Sequence, residues 1–347
     1  MAMRAVVYRR HGGPEVLALE SRQLPEPGAG EVLVAVRRSG VNPTDWKSVG
    51  GGPAGTAPRL GPSVPGQDGS GTVTAVGAGV DPGRTGERVW LWEPAWQRPG
   101  GTAQEYVAIP SQQAVALPST LPDDDAFDLG ASLGIPFLTA HRTLTVAEGG
   151  PDRLAPGALT GRSVLVAGGA GAVGNAAIQL ARWAGATVFA TVSSPAKAVL
   201  ARAAGADHVL DYRTEDVAAE VRRLAPRGMD TVVEVAAAAN AANDVAVLAR
   251  HGVVAMYADD GGDSVTLPIR PLMAPNARWQ FVLVYTEPAA AKALGVDAVA
   301  AAVAAGAVAV GESAGLPLHH RPLAETAAAH RDVAAGTIGK VLVDVDR

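Results

Sequence analysis

The sequence predicts an α/β protein of two domains, a β-rich unit followed by a doubly wound parallel sheet. The chain has 347 residues, which suits two domains of about 100–200 residues each. Its first third is rich in Gly and Pro, with short apolar runs between them. From Ser163 onward strand-like runs alternate with helical runs at short intervals, the pattern of a parallel sheet covered by helices on both faces.

Taken in order, residues 5–8, 31–36, 71–76 and 88–91 read as short strands joined by tight turns. Within 31–36, Val32, Val34 and Val36 alternate with other residues, so the first third reads as an all-β unit. A helix begins near Ala126 and runs through Ala140. Residues 163–167 then form a strand, 172–183 a helix and 187–191 a strand. The helix at 195–204 is capped by Ser194 before it and Gly205 after it. The pattern continues with a strand at 208–210, a helix at 215–224 capped by Thr214, and a strand at 230–235. A helix at 241–250, closed by Gly252, and a strand at 253–257 complete it. The longest apolar stretch, 298–310, has 13 residues. A membrane span needs about 18 or more, so this stretch reads as a buried or Ala-rich helix. A helical stretch at 323–335 and a strand at 339–345 end the chain.

Composition removes several classes of function. There is no Cys, so disulfides and thiolate metal sites are excluded, and a reducing cytoplasm fits. The formal net charge is -5 and the basic residues are scattered without a block, so a nucleic-acid footprint is missing. The first residues lack the apolar core of a signal peptide. A soluble, cytoplasmic protein with no membrane or nucleic-acid partner is expected.

Gly169, Ala170, Gly171, Ala172, Val173 and Gly174 match G-x-G-x-x-G. In a chain with 41 Gly, roughly half a match is expected by chance, and residues 50–55 also fit. That second match has no strand before it and contains Pro53, so it reads as a loop. The match at Gly169 follows a strand and opens a helix. Its glycines allow a tight turn and close approach of the backbone to a pyrophosphate, and the helix N-terminus supplies N–H groups and partial positive charge. An NAD site usually carries an acid about 20 residues further on, bonded to the ribose 2′-hydroxyl. Residues 191–197 hold no carboxylate; they offer Ser193, Ser194 and Lys197 at a helix start, all favourable to a 2′-phosphate. NADPH is therefore expected over NADH. The plainer alternative is that Ser194 caps a helix and Lys197 is a solvated side chain.

Taken with the segments 40–45, 64–71, 86–89 and 339–341, the loop at 167–174 resembles the zinc-independent, zeta-crystallin-like quinone oxidoreductases of the medium-chain dehydrogenase/reductase superfamily. The resemblance runs over essentially the whole chain. It implies a Rossmann domain inserted in a GroES-like catalytic domain, with 1–128 and 287–347 in the catalytic domain and 129–286 in the Rossmann domain. Cofactor and substrate are then expected in the cleft between them. By resemblance Asn42 and Thr44 line the nicotinamide end, and Thr139 approaches the nicotinamide half. Ser193, Ser194, Lys197 and Tyr212 surround the adenosine 2′-phosphate. Val235, Ala236, Tyr257 and Ala258 lie at strand ends facing the cofactor, Phe281 and Val282 help close the site, and Lys340 joins the cofactor contacts. Lys47 stands where many members carry Tyr; cofactor binding, donation to a substrate oxygen and simple exposure remain open for it. Glu87 replaces the commoner Asp, and 148–160 resembles an added loop of unknown role.

Zinc dehydrogenases of the same superfamily hold their catalytic metal with Cys and His at the positions of Asn42 and Gln67. Neither residue type here is a usual zinc ligand, so no metal is expected. Without one, the natural acceptors are already electrophilic. A quinone is the leading expectation, with Asn42, Thr44 and Lys47 as candidate catalytic residues and donors such as Thr44, Lys47 or backbone N–H groups at the developing oxyanion. An enoyl or alkenal reductase of a biosynthetic pathway shares all these residues. An NADPH-binding protein with a structural or regulatory role and little turnover is the alternative outside catalysis. The apolar segment 278–285 reads as an edge strand, which invites pairing, and by resemblance this region lies near a two-fold interface, so a homodimer is expected.

Overall fold

The computed structural model describes residues 2–52 and 54–345; Pro53, inside the second glycine match, lies outside the described residues. The Gly- and Pro-punctuated first third folds into β1 (Ala2–Val7), β2 (Ala18–Gln23), β3 (Glu31–Val41), a short helix α1 (Pro43–Val49), β4 (Asp68–Val76), β5 (Arg88–Trp92), β6 (Tyr106–Pro110) and β7 (Ala114–Ala116). The alternating valines sit on β3, where Val32, Val34 and Val36 are buried in the core. β3 pairs antiparallel with both β4 and β6. Helix α1 corrects the all-β expectation for this region. Its start was legible, because Asn42 precedes Pro43, proline favours the first helical position, and the Asn42 N–H is satisfied by Asp45 Oδ2 at 2.7 Å.

α2 (Asp123–Thr145) follows, and a second alternation begins: β8 (Ser163–Val166), α3 (Ala172–Trp183), β9 (Thr187–Val192), α4 (Pro195–Ala203), β10 (His208–Asp211), α5 (Val217–Leu224), β11 (Met229–Glu234), α6 (Ala237–Val247), β12 (Leu248–Met256), α7 (Ile269–Met273), β13 (Arg278–Phe281) and α8 (Ala289–Ala304). The sheet runs in the order β10-β9-β8-β11-β12-β13, and every neighbouring pair is parallel. The order reverses between β8 and β11, and such switch points open a crevice outside the carboxyl ends of the strands. β14 (Leu318–Pro322), α9 (Thr326–Ala334) and β15 (Lys340–Asp344) close the chain. β15 pairs antiparallel with β3, so the C-terminal strand completes the first sheet, ordered β14-β15-β3-β4-β5-β7.

Several boundaries differ from the sequence expectation. α5 begins at Val217, and Asp216 rather than Thr214 caps it by accepting from the Ala219 N–H. Residues 248–250 belong to β12 rather than to a helix, because Leu248 pairs with Met229 of β11. Within 298–310 the helix ends at Ala304 and Gly306 turns the chain with φ 65°. No helix among the described residues is long and apolar enough to cross a membrane. The chain separates into Met1–Ile135 with Leu318–Arg347, and Pro136–Pro317. Residues 287–317 thus pack with the parallel sheet, not with the first domain. Polar side chains of α3 hold them there: Asn175 Nδ2 donates to Ala314 O at 2.8 Å and Gln179 Nε2 to Ala309 O at 3.0 Å.

Candidate active site

The glycine loop joins β8 to α3. Gly168, which the motif does not include, makes its sharp turn with φ 68°. Gly171 N–H closes the turn on Gly168 O at 3.0 Å. A Cβ on Gly174 would collide with that same carbonyl, so the helix packs against the strand end only with glycine there. Gly171 is exposed. The helical ladder starts with Asn175 N–H to Gly171 O at 2.8 Å, which leaves the N–H groups of Ala172, Val173 and Gly174 outside it. Ala170 is buried under the loop. This bare backbone at a helix N-terminus fits a pyrophosphate.

One strand away, at the end of β9, Ser194 caps α4 by accepting from the Lys197 N–H at 3.4 Å. Lys197 is half-buried rather than solvated, and its ammonium donates to Ser193 Oγ at 2.9 Å. Tyr212, after β10, bonds through its N–H to Val192 O at 3.1 Å and leaves its ring 53% exposed. The structure therefore brings these four residues to one corner, where a cation and hydroxyls stand with no carboxylate among residues 191–197.

The remaining strand ends lie along the same edge of the sheet. Val235 and Ala236 follow β11 and are half-buried. Tyr257 and Ala258 follow β12, with Tyr257 N–H on Glu234 O at 3.1 Å. Phe281, the last residue of β13, is 68% exposed, while Val282 just beyond it is buried. Thr139 is buried on α2. Motif reasoning missed a carboxyl pair here. Glu234 accepts from the Ala236 N–H and from Asn240 Nδ2, and Asp244 of α6 lies beside it. Both are buried, and burial raises both carboxyls. Asp244 is raised further by the Glu234 charge and hydrogen bond. The Tyr257 phenol is pushed up by burial and by Glu234 and Asp260. An acid ending the apolar run of β11 was the available signal.

The first unit is organised around a buried ion pair. Lys340 Nζ donates to Asp68 Oδ2 at 2.9 Å and to Asn42 Oδ1 at 2.7 Å, while Asn42 Nδ2 donates to Asp68 Oδ2 at 2.7 Å. The Ile135 N–H donates to Asp68 Oδ1 at 2.6 Å, one residue before Pro136 in α2. All three side chains are at most 4% exposed. This corrects the expectation for Lys340: its ammonium is held inside the protein by Asp68 and Asn42. Both ends of the Asn42 amide are engaged in that network as well. Thr44 is half-buried on α1 and Lys47 exposed one turn on, with its ammonium 5.9 Å from the centre of the Trp46 ring.

Asp45 adds a second buried acid, accepting from the Asn42 N–H at 2.7 Å and the Gly66 N–H at 3.2 Å. Burial pushes it up to about 7, against the pull of those N–H groups and of Lys340. It lines a cavity of about 340 Å³ together with Gln67 and Trp96. Among the described residues no cluster of three or more His, Cys, Asp or Glu has a metal-holding arrangement. His320 Nδ1 instead meets Asp344 Oδ1 at 2.8 Å, and His319 Nε2 meets Ile338 O at 2.8 Å.

Comparison with known proteins agrees with this geometry. Residues 28–119 match the alcohol dehydrogenase GroES-like domain, and residues 172–296 match the zinc-binding dehydrogenase domain. The quinone oxidoreductase of Lama guanicoe is 33% identical over 261 residues, 75% of this chain and 74% of that protein. The synaptic vesicle membrane protein VAT-1 homolog of Rattus norvegicus is 34% identical over 282 residues, 80% of this chain. The match spans 64% of that longer relative. A mycobacterial protein solved in complex with NADPH superposes with a TM-score of 0.78 at 29% identity, covering 98% of this chain and 99% of that one. The chain belongs to the zinc-independent, quinone-oxidoreductase-like proteins of the medium-chain dehydrogenase/reductase superfamily.

Two expected outcomes follow from the buried acids. Lys340→Met strands the Asp68 charge in the core and is expected to cost about 3–5 kcal/mol of stability in urea unfolding. Adding Asp68→Asn to that variant should recover part of the loss. An unchanged midpoint and slope for Lys340→Met would show that the pair does not hold the unit together.

Asp45 keeps its proton to about pH 7 when folded but to only about 4 when unfolded. The folded state therefore binds the extra proton between those values, and Asp45's contribution to stability falls as pH rises through them. Burial lowers His141 and His330 to about 4, and their contribution changes in the opposite direction over part of that range. Comparison with Asp45→Asn isolates the carboxyl. The stability of wild type relative to this variant should decline from about pH 4 to 7 and then level off. A difference constant with pH would refute the assignment.

Proposed function

We propose that this chain is an NADPH-dependent oxidoreductase that reduces quinones without a bound metal, working as a homodimer in the cytoplasm. The observation that carries the reading is the corner after β9, where Lys197 and Ser193 stand beside the glycine loop and no acid follows the strand. A ribose 2′-phosphate is favoured there, whereas an NAD site offers a carboxylate to the 2′-hydroxyl. The quinone oxidoreductase relative and the NADPH-bound neighbour support the same choice.

In this reading the N–H groups of Ala172, Val173 and Gly174 hold the pyrophosphate at the N-terminus of α3. Gly169, Ala170 and Gly171 keep the loop low enough for it to approach. Lys197, Ser193 and Ser194 hold the 2′-phosphate, and Tyr212 flanks the adenosine. Thr139, Val235, Ala236, Tyr257, Ala258, Phe281 and Val282 shape the remainder of the cofactor site. When bound, NADPH supplies the hydride chemistry. Thr44 and Lys47 donate to the acceptor oxygen as negative charge develops. Asn42 acts one step back, by fixing the start of α1 through Lys340 and Asp68. A quinone suits the donor set because ring delocalisation stabilises the anion that Asn42 and Gln67, unlike Cys and His, recruit no zinc to stabilise.

NADPH is expected to exceed NADH in kcat/KM, and Lys197→Ala to narrow the gap by about 1–3 kcal/mol, or roughly 5- to 150-fold. Equal efficiency of the two cofactors in wild type would sink the cofactor assignment. In the same absorbance assay, small ortho- or para-quinones should consume NADPH with or without EDTA, while primary alcohols with NADP⁺ should not react. Activity lost in EDTA and restored by zinc would overturn the mechanism. Turnover of enones alone would mark a double-bond reductase, and NADPH binding with no acceptor consumed would mark a binding protein.

Assembly has its own test. Phe281 is 68% and Leu283 54% exposed at the open edge of the parallel sheet, on and just after β13. Apolar edges of this kind pair. Light scattering at micromolar concentration should give twice the chain mass, and a monomer mass would rule the dimer out.

A further inference from the structure

Glu234 closes β11 at the carboxyl edge of the parallel sheet and is 1% exposed. Its Oε1 accepts from the Ala236 N–H and, at 3.0 Å, from Asn240 Nδ2. One carboxylate thus ties the turn at 235–236 to the start of α6. One helical turn beyond Asn240, Asp244 is 2% exposed and in hydrogen-bond contact with Glu234. Its Oδ2 has no hydrogen-bond partner among the described residues. A buried carboxylate oxygen that no N–H or O–H reaches is costly. Beside a second carboxylate the same oxygen is satisfied when it carries a hydrogen and donates it.

The turn at 235–236 abuts the glycine loop. A Cβ on Gly168 would stand 3.3 Å from Val235 Cγ1, so Val235 lies against the bend of that loop. The Ala167 N–H donates to Val233 O at 2.9 Å, which ties the approach to the bend to β11 as well. Gly168 in turn supplies the carbonyl on which the Gly171 N–H closes and against which Gly174 packs. A shift of the 235–236 turn therefore reaches the backbone suited to a pyrophosphate. All of these residues lie within Pro136–Pro317.

We propose that Glu234 and Asp244 are positioning residues for the NADPH site, with protonated Asp244 donating to Glu234 so that Glu234 holds the turn against which the glycine loop rests. The inference rests on the cofactor reading above and adds control by pH to it. Loss of the proton leaves two carboxylates side by side in the core. The other groups facing the pair offer no compensating cation. Asn240 is a neutral donor, β12 presents Met256 across the ladder, and Tyr257 and Asp260 bring a phenol and a further acid. Arg222 of α5 donates instead to Ala246 O. Repulsion then loosens the turn, and NADPH affinity falls as pH rises. Burial and the Glu234 charge push the Asp244 carboxyl up to about 9, which puts the fall on the alkaline side.

Fluorescence titration with NADPH from pH 7 to 10 reads the coupling without turnover. Asp244→Asn keeps an amide N–H for Glu234 at every pH. Groups elsewhere in the site are the same in both proteins and cancel in the ratio of Kd values, wild type over Asp244→Asn. That ratio should stay within twofold of one at pH 7 and reach about tenfold by pH 10, the effect of losing one proton with a midpoint near 9. Asp244→Ala lacks the donor throughout and suits a helix; it should bind NADPH about tenfold more weakly than wild type at pH 7. The melting temperature of wild type relative to Asp244→Asn should fall from about pH 4 to 9, because the folded state keeps a proton that the unfolded chain releases near 4. A Kd ratio flat within twofold from pH 7 to 10, or Asp244→Ala binding as wild type does at pH 7, would refute the coupling even where the melting curves show the acid titrating. Failure of wild type to bind NADPH at pH 7 would remove the cofactor reading itself, whereas tight binding with a flat ratio removes this inference alone.

Discussion

Asp68 and Lys340 lie 272 positions apart in the chain and meet in the core of the first unit. A charge taken out of water is tolerated only beside its partner and with its remaining hydrogen bonds met. The two residues start β4 and β15, the strands on either side of β3. The pair therefore forms only when the C-terminal strand has returned to the first sheet. Its neighbours comply at close quarters. A Cβ on Gly40 would collide with the Ala131 carbonyl of α2, and one on Gly134 with the Asp68 carboxylate itself. Pro136, which has no N–H to give the helix, follows directly after the Ile135 N–H that Asp68 accepts. Through Asn42 the same network sets the start of α1, and so the places of Thr44, Asp45 and Lys47.

The parallel sheet follows a different logic, in which backbone rather than side-chain charge does most of the preparation. Its carboxyl edge offers free N–H groups after β8 and an ammonium after β9. Glu234 ends β11 and Asp244 follows on α6, and burial raises both carboxyls, which disfavours their charged forms. The edge is thus suited to an anionic dinucleotide along its length. Glu234 also fixes the following turn through the Ala236 N–H and Asn240, so the acid positions backbone there.

Much of this was legible beforehand wherever the signal was local. The valine alternation of β3, the strand-to-helix context of Gly169 to Gly174, the Ser194 cap and the lack of an acid after β9 each depend on residues close in sequence. Periodicity, capping and turn chemistry act at that range. The errors were also local in character. Thr214 and Asp216 are both competent caps, and 241–250 is rich in Ala on both sides of the true boundary, so composition did not separate helix from strand until β12 paired with β11.

By itself the sequence determined the class of fold, the glycine loop between strand and helix, and the lack of any thiolate metal ligand, since these follow from residue type and short spacing. Tertiary structure alone decided the rest. It showed that Lys340 belongs to Asp68 and Asn42, that Asn175 and Gln179 of α3 hold the carbonyls of Ala314 and Ala309, and that Glu234 and Asp244 are buried side by side. It also showed that the Oε1 of Gln67, a residue lining a cavity, has no hydrogen-bond partner among the described residues. Each of these depends on which distant groups burial brings within a few ångströms, and burial is a property of the packed chain that no short stretch of sequence contains.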